Sequence, residues 1–147
     1  MELAYIGGIL MQLTDHFSLE EMCKSDTALR NGVDNTPVDE QIIANLSGVC
    51  RHILEEVRSN YDVAFTPTSG YRCSALNKMI GGSQTSQHSK GQAADFEVPT
   101  IDNFDLATWI VENLTFDQVI LEYYTSGEPN SGWVHALPLQ EPRITIR

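Results

Sequence analysis

Apolar residues recur at intervals of three and four between Ile42 and Val57, at Ile42, Leu46, Val49, Ile53 and Val57, with Ile43, Cys50 and Leu54 widening the stripe. This pattern predicts an amphipathic helix of about 20 residues, the longest of the chain, packed across a sheet. In front of it, Thr36-Pro37-Val38-Asp39 predicts the start, with Thr36 as cap and Pro37 in the first turn. Earlier, Phe17-Ser18-Leu19-Glu20-Glu21-Met22 reads as a capping box with a hydrophobic staple. That helix is expected to be short, because Ser25-Asp26 and Asn31-Gly32 follow as turn signals.

The period then changes. Val63–Thr66 predicts a short strand, Ser69–Arg72 a turn that presents Arg72, and Ser74–Ile80 a short helix stopped by Gly81-Gly82. A polar loop over 83–90 leads into Gln92–Val98, whose alternation places Ala93, Asp95 and Glu97 on one face and Ala94, Phe96 and Val98 on the core side. A third helix is expected over Asp102–Leu114, with Asp102 as cap and Phe104, Ala107, Val111 and Leu114 along its apolar face. Asp117–Tyr124 is apolar enough to predict a strand inside the sheet, and Trp133–Leu137 predicts another, with Arg143–Arg147 a candidate for a last one. Helices and strands mix without regular alternation, so the expected class is α+β with an antiparallel sheet, in one domain spanning 1–147.

Composition narrows the function. A net charge of −11 leaves no basic stripe for nucleic acid and no polybasic patch for a membrane surface. Three widely spaced cysteines, Cys23, Cys50 and Cys73, make neither a disulfide framework nor a zinc knuckle and read as inert thiols. The apolar Leu3–Leu13 lacks a basic start and a small-residue cleavage site, so it does not read as a signal peptide, and it is too short to span a bilayer. Residues 1–10 read either as an extension ahead of the domain or as a remnant foreign to it.

The chemistry concentrates in Ser86-Gln-His88-Ser-Lys-Gly91-Gln-Ala93-Ala-Asp95. An imidazole and a carboxylate stand seven residues apart, Gly91 permits a sharp reversal after His88, and Ala93 leaves room beside Asp95. Among four histidines, His135 in Trp133-Val134-His135 is the best third ligand, since His16 and His52 lie in other contexts. His52, beside the long helical stripe, reads as structural or surface. Two imidazoles and a carboxylate suit zinc, with a fourth position open to water, the arrangement of a catalytic site.

The pattern Ser-x-His-x-x-Gly-x-Ala-x-Asp, preceded by Ser69-Gly70-Tyr71-Arg72 and followed by Trp-x-His, resembles the zinc D-alanyl-D-alanine carboxypeptidases, a family that includes phage L-alanyl-D-glutamate endopeptidases. The firm resemblance covers 69–135, and Asp15–Met22 is similar to the start of the small phage-type members. It implies the fold shared with Hedgehog-type domains, zinc held by His88, Asp95 and His135, and a peptidoglycan stem peptide as substrate. It also implies that Arg72 binds a substrate carboxylate or stabilises the oxyanion, and that Ser86 contacts substrate, against a plain loop-capping role for its hydroxyl.

Many relatives carry a Glu three residues before the last His or a His two before it; here Gly132 and Trp133 stand there. Glu122, a carboxylate in an apolar strand, is the best general base, with Glu97 next and Glu128 third. The expectation is therefore a monomeric zinc peptidase that cuts a stem-peptide amide, either D-Ala-D-Ala at a chain end or L-Ala-D-Glu within the stem, and acts at the cell wall, the missing signal peptide favouring a phage lysin over a bacterial housekeeping enzyme. The alternative is a non-catalytic peptidoglycan-binding or virion-structural protein that keeps the fold.

Overall fold

The computed structural model describes residues 11–140; the expectations for residues 1–10 and for a strand over 143–147 lie outside them. The chain enters through helix α1 (Leu19–Cys23), closed by the capping box expected: Ser18 Oγ accepts from the Glu21 amide, and the Glu21 side chain accepts from the Ser18 amide. Phe17, Leu19 and Met22 are buried by it. Ser25 does not merely turn the chain but caps a second short helix, α2 (Asp26–Arg30).

The long amphipathic helix runs from Glu40 to Tyr61 and is not uniform. It comprises α3 (Glu40–Val49), a π turn at Cys50–Leu54 and α4 (Glu55–Tyr61). Leu46, Val49, Cys50, Ile53, Leu54 and Val57 are buried along it, as the stripe predicts. Its start differs from expectation. Asp39 is the cap, accepting from the Gln41 amide at 2.8 Å, whereas Thr36 donates its own amide to Asp34 in the preceding loop. The aspartate competes successfully because it lies next to the first helical residue, and Thr36 and Pro37 remain in the lead-in.

Val63–Thr66 is extended but forms no ladder. Thr66 turns its hydroxyl to Glu21, and Pro67 has no amide to give, so pairing begins only at Ser69 opposite Asp95. The segment contributes side chains instead: Phe65 packs on Phe17 and stacks on Phe96. Helix α5 (Ser74–Met79) follows as expected.

The sheet consists of β1 (Ala94–Phe96), β2 (Phe116–Glu122) and β3 (Trp133–Pro138), antiparallel in the order β1-β3-β2. This bears out the α+β class with an antiparallel sheet. Among the described residues β2 lies at an edge of the sheet and not inside it; its apolar residues are half-buried, and β3 takes the centre with Val134, Ala136 and Leu137 buried. β1 is shorter than the alternating stretch, because only Ala94, Asp95 and Phe96 find partners on β3. Helix α6 (Asn103–Asn113) starts at the Asp102 cap as predicted. Its buried face is Asn103, Leu106, Ala107 and Ile110, while Phe104 and Val111 point to solvent. Phe104 is instead drawn to Tyr124, the ring centroids lying 6.2 Å apart.

Candidate active site

The segment Thr68–Arg72 is a scaffold for the ligands rather than a turn that only displays Arg72. Asp95 donates its amide to Ser69 O at 2.8 Å, and Thr68 donates its amide to Asp95 O at 2.8 Å. On its other side Asp95 pairs with His135 on β3. The main chain of Asp95 is therefore held from both flanks, and pleating aims its carboxylate to the same face as His135. Gly70 passes so close to the end of α1 that a Cβ would collide with Met22 O. Tyr71 donates its amide to that same oxygen at 2.7 Å.

His88 lies in a 3-10 turn, Gln87–Lys90, within the stretch expected to be a loop. Ser86 caps this turn by accepting from the His88 amide at 3.2 Å. Gly91 ends it in the left-handed region, φ 71°, where a Cβ would also press on Ile42 O of α3. The reversal that glycine permits returns the chain into β1, so that His88 and Asp95 meet.

The His88 ring is buried and donates from Nδ1 to Gly70 O at 2.7 Å. With Nδ1 committed to Gly70 O, Nε2 is the nitrogen turned to the carboxylate, 3.4 Å from Asp95 Oδ1. Nδ1 of His135, also buried, lies 2.8 Å from the same Oδ1. The two imidazoles meet edge to face, with centroids 5.2 Å apart. One candidate ligand atom from each of His88, Asp95 and His135 lies within 4.8 Å of the others. Burial raises the Asp95 carboxyl, but hydrogen bonds and charge from His135 and His88 outweigh it and bring the pKa down to about 2. The carboxylate is thus ionised, as a metal ligand must be.

This donor set fits a divalent zinc ion: two nitrogens and one carboxylate oxygen converge, and a backbone carbonyl orients one imidazole from behind. The profile of the family described as Peptidase M15 matches residues 15–135. The chain belongs to the peptidase M15 family. Peptidase M15 proteins are zinc-dependent metallopeptidases, and the His-Asp-His cluster lies within the matched segment. A comparison with curated proteins finds no match.

Around this M15 cluster the other candidates divide. Arg72 donates its amide to His88 O at 3.1 Å, and its Nη2 donates to Ser86 Oγ at 3.3 Å. Burial lowers the pKa of its guanidinium, and the charge of Asp95 pushes back. Ser86 therefore serves both as turn cap and as a rest for Arg72. Glu97 accepts from Asn103 Nδ2 at 3.0 Å. Asn103 also donates to Ser131 O and Gly132 O, tying α6 to the loop before β3.

Glu122 pairs with Trp133, two positions from the Ile120–His135 pair, and so lies on the same sheet face as His135 and Asp95. Glu128 is in the exposed loop 125–132. His52 is exposed on the long helix, away from the cluster. The cysteines are free; burial, aided by Asp34, pushes the Cys23 thiol up to about 12, and burial raises Cys50 as well. No helix among the described residues is long and apolar enough to cross a membrane.

The residue that sequence reasoning missed is Asn35. Its buried amide donates to Cys23 O at 2.8 Å and Tyr71 O at 2.9 Å and accepts from the Cys73 amide at 2.7 Å. It fastens the Ser-Gly-Tyr-Arg segment from behind. Nothing in the polar stretch around Asn35 distinguishes it from an ordinary loop asparagine.

Proposed function

We propose that this M15 metallopeptidase hydrolyses an amide bond of the peptidoglycan stem peptide. His88, Asp95 and His135 hold the zinc, Glu122 is general base and then acid, and Arg72 is the anion-binding cation. The observation that carries the reading is the convergence of two buried imidazoles on one ionised carboxylate, with a half-buried arginine anchored to the same turn.

A zinc ion bound there supplies Lewis acidity, activating a water and polarising the scissile carbonyl. The chain's own residues do the rest. Gly70 O fixes the His88 tautomer so that Nε2 faces inward. Arg72, held by Ser86, presents a cation to a substrate carboxylate or to the charge that develops on the carbonyl oxygen.

Glu122 takes the proton of the attacking water and hands it to the departing amine. It is favoured over Glu97 because Glu97 is engaged by Asn103, whereas no hydrogen bond or ion pair among the described residues holds the Glu122 carboxylate. Glu122 stands diagonal to His135, a relation of about 7–8 Å between Cα positions, within reach of a long side chain. The protein acts as a monomer at the cell wall, as a phage-type lysin would.

Incubation of the zinc-loaded protein with peptidoglycan fragments, followed by mass spectrometry, reads both activity and the bond cut. Glu122→Gln is expected to bind zinc normally and to lose on the order of 10² to 10⁴ in rate. Full activity in Glu122→Gln alongside loss in Glu97→Gln would reassign the base. Absence of any product from the zinc-loaded wild type would instead favour a non-catalytic wall-binding protein.

A further inference from the structure

Tyr123 has a backbone that its residue type disfavours and an exposure that aromatic rings rarely keep. Its φ is 52°, in the left-handed region, and it is 80% exposed. Regular alternation would send Tyr123 to the face opposite Glu122 and Trp133. The left-handed residue breaks that alternation, and the ring comes to lie against Trp133, with centroids 5.3 Å apart and planes at 35°. Gly132 makes this possible: a Cβ there would run into Glu122 O and the Tyr123 carbonyl group. Strain of about 1–3 kcal/mol at a non-glycine residue persists where the surroundings impose it, and such positions gather at binding sites.

Trp133 is the connecting piece. It stands two residues from His135 on the same face of β3, about 7 Å along the strand. Its indole Nε1 is buried and has no hydrogen-bond partner among the described residues. From the cluster outward, the face therefore runs imidazole, indole, exposed phenol.

We propose that Tyr123, backed by Trp133, is a platform on which a pyranose ring of the glycan packs when the adjoining stem peptide is bound. The inference rests on the peptidoglycan reading of the same site and names the part of the substrate that the aromatic pair takes. The stem peptide consists of alanine, an acidic residue and a diamino acid, none with a flat face. The sugar rings offer flat C–H faces that match an aromatic ring. A scissile carbonyl one residue from the muramyl lactyl group leaves the sugar two residue-lengths away, about 7 Å at the span of an extended chain. That reaches Trp133, and the Tyr123 ring lies beside the indole with centroids 5.3 Å apart. At the far end of the stem the sugar would be four or five residue-lengths off, about 15 Å, beyond the platform. The platform thus ties the enzyme to the first peptide bond of the stem.

The test uses N-acetylmuramyl-L-alanyl-γ-D-glutamyl-L-lysine and the same peptide carrying only a lactyl group. Wild type is expected to show a KM roughly 3- to 10-fold lower for the muramyl substrate, the range of one good aromatic contact. Tyr123→Ala should collapse that ratio to about one with zinc content intact, and Tyr123→Phe should preserve it. Equal KM values in wild type, or a ratio that survives Tyr123→Ala, would overturn the proposal. Titration of N-acetylmuramyl dipeptide into zinc-free protein separates the two claims. Turnover of neither substrate would end the assignment to the first peptide bond, and only failure to cut whole peptidoglycan fragments as well would sink the peptidoglycan reading, while dipeptide binding that weakens in Tyr123→Ala and not in Tyr123→Phe would still uphold the platform, and its absence would end it.

Discussion

Gly70→Ala is the smallest change that should damage both stability and metal affinity. Its Cβ would collide with Met22 O, and it would sit 3.1 Å from Met22 C and 3.2 Å from Met22 Cα. These are backbone atoms of a buried helix end, so relief requires the 68–72 segment to shift. Overpacking of this kind costs about 1–3 kcal/mol. Weakening of the Tyr71 N–H to Met22 O bond adds about 1 kcal/mol. A total of about 2–4 kcal/mol lowers Tm by roughly 5–15 °C in a chain of this size.

The shift also moves Gly70 O, the acceptor for His88 Nδ1. Loss of such a supporting contact typically lowers metal affinity by about 10- to 100-fold. Thermal unfolding of the zinc-free protein reads the first effect, and competition with a chromophoric chelator reads the second. Gly48→Ala is the control: nothing lies within 4 Å of that Cβ in α3, so a gain of about 0.5–1 kcal/mol is expected. Wild-type stability in Gly70→Ala would refute the packing argument. Reduced stability with unchanged zinc affinity would refute the link from Gly70 to His88.

The wild type should bind about one zinc per chain, as a three-ligand site implies, and elemental analysis of His88→Ala or Asp95→Ala should find it lost. Arg72→Lys keeps the charge but not the planar fork, so kcat/KM should fall at least tenfold with zinc retained; a wild-type rate would return Arg72 to an ordinary surface role. Glu55 accepts from the His16 amide at 2.7 Å and from its ring at 2.8 Å. Burial raises the Glu55 carboxyl, but these hydrogen bonds outweigh it and leave its pKa below the usual range. A depressed folded pKa contributes stability above the unfolded value of about 4.3 and loses it as pH falls further. Glu55→Gln should therefore cost about 1 kcal/mol at pH 7, after allowance for solvent screening, and denaturation curves of variant and wild type should converge as pH falls through the lowered folded pKa.

The cluster was legible because its ligands obey local rules: a cap before His88, a glycine after it, and strand parity at Asp95 and His135. The capping box at Ser18 and the Asp102 start of α6 were legible for the same reason. What escaped depended on partners remote in sequence. Val63–Thr66 has strand composition, but Pro67 and the bond from Thr66 to Glu21 deny it a ladder. Phe104 and Val111 fit the helical period as well as Leu106 and Ile110 do, and only the placement of α6 against the sheet selects between the two faces. β2 reads as interior, yet among the described residues it pairs on one side only, with β3, which takes the centre by pairing on both. The π turn at Cys50–Leu54 leaves no trace in a pattern that both 3.6 and wider spacings satisfy.

The double anchoring of Asp95 has a dynamic consequence. Its amide is closed by Ser69 on one side, its carbonyl takes the Thr68 amide, and β3 runs along the other flank. Separating Asp95 from His135 means tearing the centre of the sheet, so the amide protons here should exchange with deuterium only as fast as the whole domain opens. A cluster braced in this way is expected to keep His88, Asp95 and His135 together without an ion. Metal capture becomes a docking event and not a folding event, and removal by a chelator should leave the circular dichroism spectrum almost untouched.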